Sequence, residues 1–193
     1  MTEASPPDSR SSFAQPIKPC LLIVSGIFVV GFLIGYFVPV PRKLEFFGEM
    51  ARRFGPYGDL TPVWLFLAIL TNNASKSFLL MLSGILFGIL PPVSALANGY
   101  ILGVAVLWAV WEAGTASALK AVLPHGVLEI PALVLSMAYG LWLGVVFTKR
   151  IGQRNWEGAG GQVRHAVAMY FKIAFPLFVA AALVEVVVIR VME

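Results

Sequence analysis

The chain has 193 residues, of which 59% are hydrophobic and 12% charged, with a mean hydropathy of +0.84. A soluble domain carries about a quarter charged residues, so this composition excludes a water-soluble fold. The net charge of +4 comes from loop clusters placed to meet lipid head groups, which is no argument for nucleic acid, and a single cysteine, Cys20, rules out a disulfide within the chain.

Residues 1–18 are polar and rich in Ser and Pro, the composition of a disordered tail. Residues 19–193 read as one transmembrane domain. A first span covers 20–38. No small-x-small cleavage site follows before Pro39 and Pro41, so it reads as a retained anchor and not as a secretory signal. Arg42–Gly58 mixes Leu44, Phe46, Phe47, Met50 and Phe54 with charges, and predicts an amphipathic helix over 42–55 lying in the interface. The next apolar block, Thr61–Leu90, is too long for one upright span and is interrupted by Asn72-Asn73-Ala74-Ser75-Lys76-Ser77. It predicts a half-helix over 62–70, a polar break, and a second span over 75–90 with Asn73 or Ser75 as N-cap. Pro91-Pro92 closes that span, and a third runs over 93–111, with Trp108 and Trp111 in the interfacial aromatic belt. A connector leads to Leu123-Pro124-His125-Gly126-Val127-Leu128-Glu129-Ile130-Pro131-Ala132 and a fourth span over 124–147. A hydrophilic loop (Lys149–Arg164) and a fifth span over 166–190 complete the chain.

The expected fold is therefore all-α: a polytopic bundle of about five spans with an interfacial helix and a broken second hydrophobic segment. Unpaired backbone groups are too costly in hydrocarbon, which leaves helices or closed barrels, and the blocks lack the two-residue alternation of barrel strands. Orientation is undetermined from Lys and Arg. Arg10, Lys18, Lys149, Arg150, Arg154 and Arg164 on one side balance Arg42, Lys43, Arg52, Arg53, Lys120 and Arg190 on the other.

Four spans carry a GxxxG: Gly31/Gly35, Gly84/Gly88, Gly99/Gly103 and Gly140/Gly144. Glycines four apart make a flat strip against which another backbone can pack. The strips fit a tight bundle, a tight oligomer, or both.

Ionisable and amide groups at membrane depth are the candidate functional residues. His125 and Glu129 are spaced i, i+4 and share a helix face if a helix begins at Pro124. They read as a structural helix entry, a proton- or ion-handling pair, a catalytic pair or a partner-recognition site, the structural reading first. Asn72 and Asn73 with Lys76, and Asn98 early in the third span, either satisfy freed backbone groups or frame a transporter-like site at a broken helix. Glu185 interrupts an apolar run near the C-terminus. Two ligands without a third make no metal site, and His165 falls in a distant loop. No Gly-x-Ser-x-Gly, His-Glu-x-x-His or phosphate loop is present, so no catalytic residue, cofactor or enzyme activity is expected.

On the Pro-His-Gly-x-x-Glu-x-Pro core at 124–131, on Asn72-Asn73 before a glycine-rich span, and on Asn98-Gly99-x-x-x-Gly103, the chain resembles the stage II sporulation protein M family of integral membrane proteins. The resemblance covers about Thr61–Gly144. It implies a bundle of five or so membrane helices. In spore-forming bacteria it implies a scaffold role in engulfment beside peptidoglycan-degrading partners, although family members also occur in organisms that make no spores, archaea included. His125, Gly126, Glu129 and Pro131 carry over as motif residues without an established chemical role. The expectation is a multi-pass cell-membrane scaffold or anchor whose partners are the bilayer and either further copies or membrane-complex proteins. The alternative is a small oligomeric transporter or channel using His125/Glu129 and Asn72/Asn73.

Overall fold

The computed structural model describes residues 16–38, 45, 48–49 and 60–192; of residues 117, 120–125, 191 and 192 only the backbone is described. Its helices are α1 (Ile17–Phe37), α2 (Pro62–Ser83), α3 (Leu90–Pro124), α4 (Ile130–Gln153), α5 (Ala159–Met169) and α6 (Phe175–Met192), with π-helical turns at His125–Glu129 and Tyr170–Ala174. Five stretches among the described residues are long and apolar enough to cross a membrane: Ile17–Phe37, Pro62–Ser83, Leu90–Ala116, Gly126–Gln153 and Ala159–Arg190.

Proline and glycine punctuate these helices in ways that follow from their backbone chemistry. Pro62 opens α2, and Pro91 and Pro92 stand in the first turn of α3, where a missing N–H removes no hydrogen bond. Gly114 interrupts α3 with φ 79° and ψ 165°, a left-handed geometry open chiefly to glycine. Each π-helical turn ends two residues before a proline, Pro131 or Pro176. A proline cannot donate to the carbonyl four residues back and its ring clashes there; a widened turn accommodates both problems without ending the helix.

The fourth span is the centre of the bundle, with 61% of its apolar window buried against 22–28% in the other four. Two glycine seams hold neighbours against each other. In the first, α1 crosses α3 in the most extensive contact of the fold, and the strips Gly31/Gly35 and Gly99/Gly103 face each other's backbones. A Cβ on Gly99 would stand 3.0 Å from both the carbonyl carbon of Phe28 and the nitrogen of Phe32, and closer still to the Phe28 carbonyl oxygen. In the second seam, Gly84 and Gly88 at the end of α2 meet Gly140 and Gly144 of α4. All four strips are thus used between helices of one chain.

Several expectations need correction. The second hydrophobic segment is not broken: α2 runs unbroken from Pro62 to Ser83, so the half-helix over 62–70 and the span over 75–90 are one helix followed by a turn. The physical reason is that its polar side chains bond within the helix and to neighbours, so no backbone group is freed. Ser75 Oγ donates to Thr71 O at 2.5 Å and Ser77 Oγ to Ala74 O at 3.1 Å. Neither Asn73 nor Ser75 is an N-cap. Gly84–Gly88 lies in the turn beyond α2, where Phe87 (φ 61°) and Gly88 (φ 68°) reverse the chain. Pro91-Pro92 therefore opens the third span and does not close the second. The fourth helix continues to Gln153, and the fifth span begins at Ala159, ahead of 166. Residues 1–15 of the tail and most of the interfacial helix over 42–55 lie outside the described residues, although Ile17 and Lys18 belong to α1.

A Gly99→Ala variant should unfold more readily by about 1–3 kcal/mol, the usual cost of overpacking, whereas Gly126→Ala, whose Cβ would meet nothing within 4 Å, should be silent. Thermal unfolding in detergent checks both. A Gly99→Ala protein as stable as the parent would show that the first seam does not hold α1 on α3.

Candidate functional site

At the Pro-His-Gly-x-x-Glu-x-Pro stretch, the chain is already helical when it reaches Pro124, the last residue of α3, and His125–Glu129 form a π-helical turn leading directly into α4. The helix therefore does not begin at Pro124, which corrects the expected geometry of the pair. Pro131 occupies the first turn of α4 and is the local cause of the widened turn. Glu129 is half-buried and engaged by a neighbour. The side chains of Pro124 and His125, and hence their direction, lie outside the described residues. The turn packs against α6, α4 and α3. Gly126 meets no neighbour that would exclude a side chain, so close packing does not account for that glycine.

The polar residues of α2 divide into two faces. Inward, Tyr170 of the second π-turn donates its hydroxyl to Ala74 O at 2.6 Å and lies 3.2 Å from Ser77 Oγ, all three groups buried. Phe78 packs edge-on against Tyr170 with ring centroids 5.0 Å apart. This knot fastens the middle of α2 to the helix pair α5–α6. Outward, Thr71, Asn72, Ser75 and Lys76 are exposed, and Asn73 is half-buried. Asn72 Nδ2 donates to Asn73 Oδ1 at 3.1 Å, a bond between adjacent residues that leaves the row facing away from the bundle. Asn98 on α3 is half-buried and donates to Ser94 O of its own helix at 2.8 Å. The structure thus does not join Asn72/Asn73 to the proline motif: the first pair lies halfway along α2, and the motif at the entry to the fourth span.

Two basic residues were assigned to loops and belong elsewhere. Arg150, placed by sequence in a head-group cluster, is 2% exposed. Its Nε donates to Gln162 Oε1 at 2.8 Å, and its Nη1 to Asn155 O at 3.2 Å and to Glu157 O. One guanidinium, with its fixed fork of donors, therefore ties the end of α4, the turn after it and the start of α5. The sequence signal was slight, an arginine at the end of an apolar run before Asn and Gly. His165 belongs to α5, with its ring centroid 6.1 Å from Tyr139 and 5.9 Å from Trp142 of α4. Among the described residues no group of three or more His, Cys, Asp or Glu is placed to hold a metal ion. Of the tryptophans expected in the interfacial belt, Trp111 is exposed and Trp108 half-buried.

Five apolar spans, packed through glycine seams around a buried central helix, define a polytopic helical membrane protein. The family model described as Stage II sporulation protein M matches residues 24–188, and the chain belongs to that family. It is 28% identical over 145 residues to an uncharacterized protein of Methanocaldococcus jannaschii, covering 69% of this chain and 64% of that protein, so the chain spans less than two thirds of that relative. No solved structure matches the chain.

Replacing Tyr170 with Phe removes the hydroxyl bonded to Ala74 but leaves Ser77 its own bond to the same carbonyl. It should cost about 1 kcal/mol. Arg150→Leu strands two backbone carbonyls and the Gln162 amide and should cost more, about 2–3 kcal/mol. Chemical or thermal unfolding of the two variants side by side checks the order. A larger loss for Tyr170→Phe would mean that the mid-bundle knot, not the arginine clamp, fixes the α5 helix.

Proposed function

We propose that the protein is an integral membrane scaffold or anchor of the cell membrane, assembling a complex of membrane proteins, with no catalytic role of its own. The observation that carries this reading is the direction of the bundle's unused polar chemistry. Ser77 and Tyr170 are consumed by an inward knot, and the glycine strips by seams within the chain. The row Thr71, Asn72, Ser75 and Lys76 is left on the outer face of α2. Polar side chains at membrane depth that are not used inside a bundle favour contacts with other helices over contact with lipid. Membership of the Stage II sporulation protein M family supports the same reading.

The transporter alternative draws on the π-helical turn at His125–Glu129, because such widened turns recur at functional sites. Against it stands the separation of the two polar groups that it would combine, one midway along α2 and one at the entry to the fourth span.

A tagged full-length chain, isolated under mild crosslinking from membranes of its own cells, should bring down membrane proteins in fixed ratio. Glu129→Gln should leave that ratio unchanged. A chain that isolates alone, and that collapses an ion or solute gradient in liposomes unless Glu129 is replaced by Gln, would overturn the scaffold reading in favour of transport.

A further inference from the structure

We infer that the outer face of α2 around Lys76 is a docking surface for a transmembrane helix of another protein that carries an acidic side chain at the same depth. This rests on the scaffold reading and names the chemistry of the partner that one face would take.

The depth of Lys76 is the first element. Helix α2 has 22 residues, Pro62–Ser83. At 1.5 Å per residue Lys76 stands about 21 Å from Pro62 and about 10 Å from Ser83. The chain beyond Ser83 does not leave the apolar zone. In the turn, Leu86 is 65% exposed, Phe87 63% and Ile89 61%, and so much exposed apolar surface belongs in lipid. Lys76 therefore lies well inside the hydrocarbon layer and not at its edge.

The second element is the face. Ala74, Ser77 and Met81 are buried on one side of this half of the helix. Thr71, Asn72, Ser75, Lys76 and Leu79 are exposed. At 100° per residue Asn72, Ser75, Lys76 and Leu79 fall within one arc opposite the buried side. Lys76 makes no hydrogen bond or ion pair with any described residue. A cation facing lipid at this depth is costly, and a carboxylate on a neighbouring helix relieves that cost.

The third element argues against a second copy of the same orientation as the source of the carboxylate. Where two copies share an orientation, a residue of one copy meets residues of equal depth in the other. The acids described from α2 onward stand at other levels. Glu112 lies in the last turns of the third span, Glu129 in the first turn of the fourth, and Glu157 in the turn beyond Gln153. Glu185 lies between Ala182 and Val186, which pack at the level of Leu65 and Ile69. At the level of Lys76 this chain instead offers a second exposed cation, Lys172. It lies two residues beyond Tyr170, whose hydroxyl is bonded to Ala74. The charge there is positive on both helices and calls for an anionic partner.

The test uses the full chain in phospholipid vesicles and synthetic polyleucine helices of about 20 residues, one with a single mid-helix Asp and one without. Association is read by energy transfer between labelled chain and peptide. The Asp helix should associate about tenfold more tightly than the plain one; Lys76→Leu should abolish that preference and Lys172→Leu should retain it. Equal association of both peptides, or a preference that survives Lys76→Leu, overturns the inference. A cysteine at Ser75 that forms a disulfide between copies, without peptide, assigns the face to a second copy and also overturns it. So does modification of Lys76 by a water-soluble amine reagent as fast as that of exposed Lys149, which would place its amine among lipid head groups. Membrane proteins that still co-isolate with a Lys76→Leu chain would leave the scaffold reading standing with its partner face elsewhere.

Discussion

Backbone-to-backbone contact across glycine strips is the constraint from which the rest of this bundle follows. Lipid tails are as apolar as leucine, so helices gain little from burying apolar side chains and associate by close packing instead. Where Gly31 and Gly35 face Gly99 and Gly103, α1 and α3 approach until a single added carbon would strike a carbonyl. The second seam does the same for the end of α2 against α4. Together they bind four of the five spans into two close pairs, and α1 and α2 each also pack on α4. The central position of the fourth span, and its high share of buried surface, is the geometric outcome.

Proline gives the same helices their irregular points. The two π-helical turns share a cause, a proline two residues on that can neither donate to the helix ladder nor tolerate the carbonyl below it. One turn carries His125, Gly126 and Glu129, and the other carries Tyr170, which reaches across to α2. In each case the widening changes which way side chains leave the helix axis. Tyr170 shows the use of such a change, because its hydroxyl serves a carbonyl on a neighbouring helix that also receives Ser77.

Polar groups in the bundle separate by whether the chain itself satisfies them. Among the described residues Arg150 is the most deeply buried charge, and it is met by two carbonyls and an amide, a pairing that offsets the cost of removing a guanidinium from water. Asn98 returns to its own helix. Lys76 is held by neither device. That contrast makes α2 the face at which this protein has most to gain from a neighbour.

Local pattern was enough to read much of this fold. Length and hydropathy of each apolar block require a membrane-spanning helix wherever the backbone cannot pair with water, so five spans and the all-α class were legible without coordinates. Long-range facts were not. Asn72–Ser77 looked like a break because amides and hydroxyls weaken a helix in isolation, but a hydroxyl can return to a carbonyl three or four residues back, and Tyr170, distant in sequence, supports the rest. Pro91-Pro92 reads equally as an end or a beginning until the turn before it is seen. Four glycine strips of the same pattern carry no label saying which meets which. Only the path of the chain in three dimensions pairs the first with the third and the second with the fourth, buries Arg150, and leaves Lys76 facing outward, because each of these depends on what stands across from a residue and not on what precedes it.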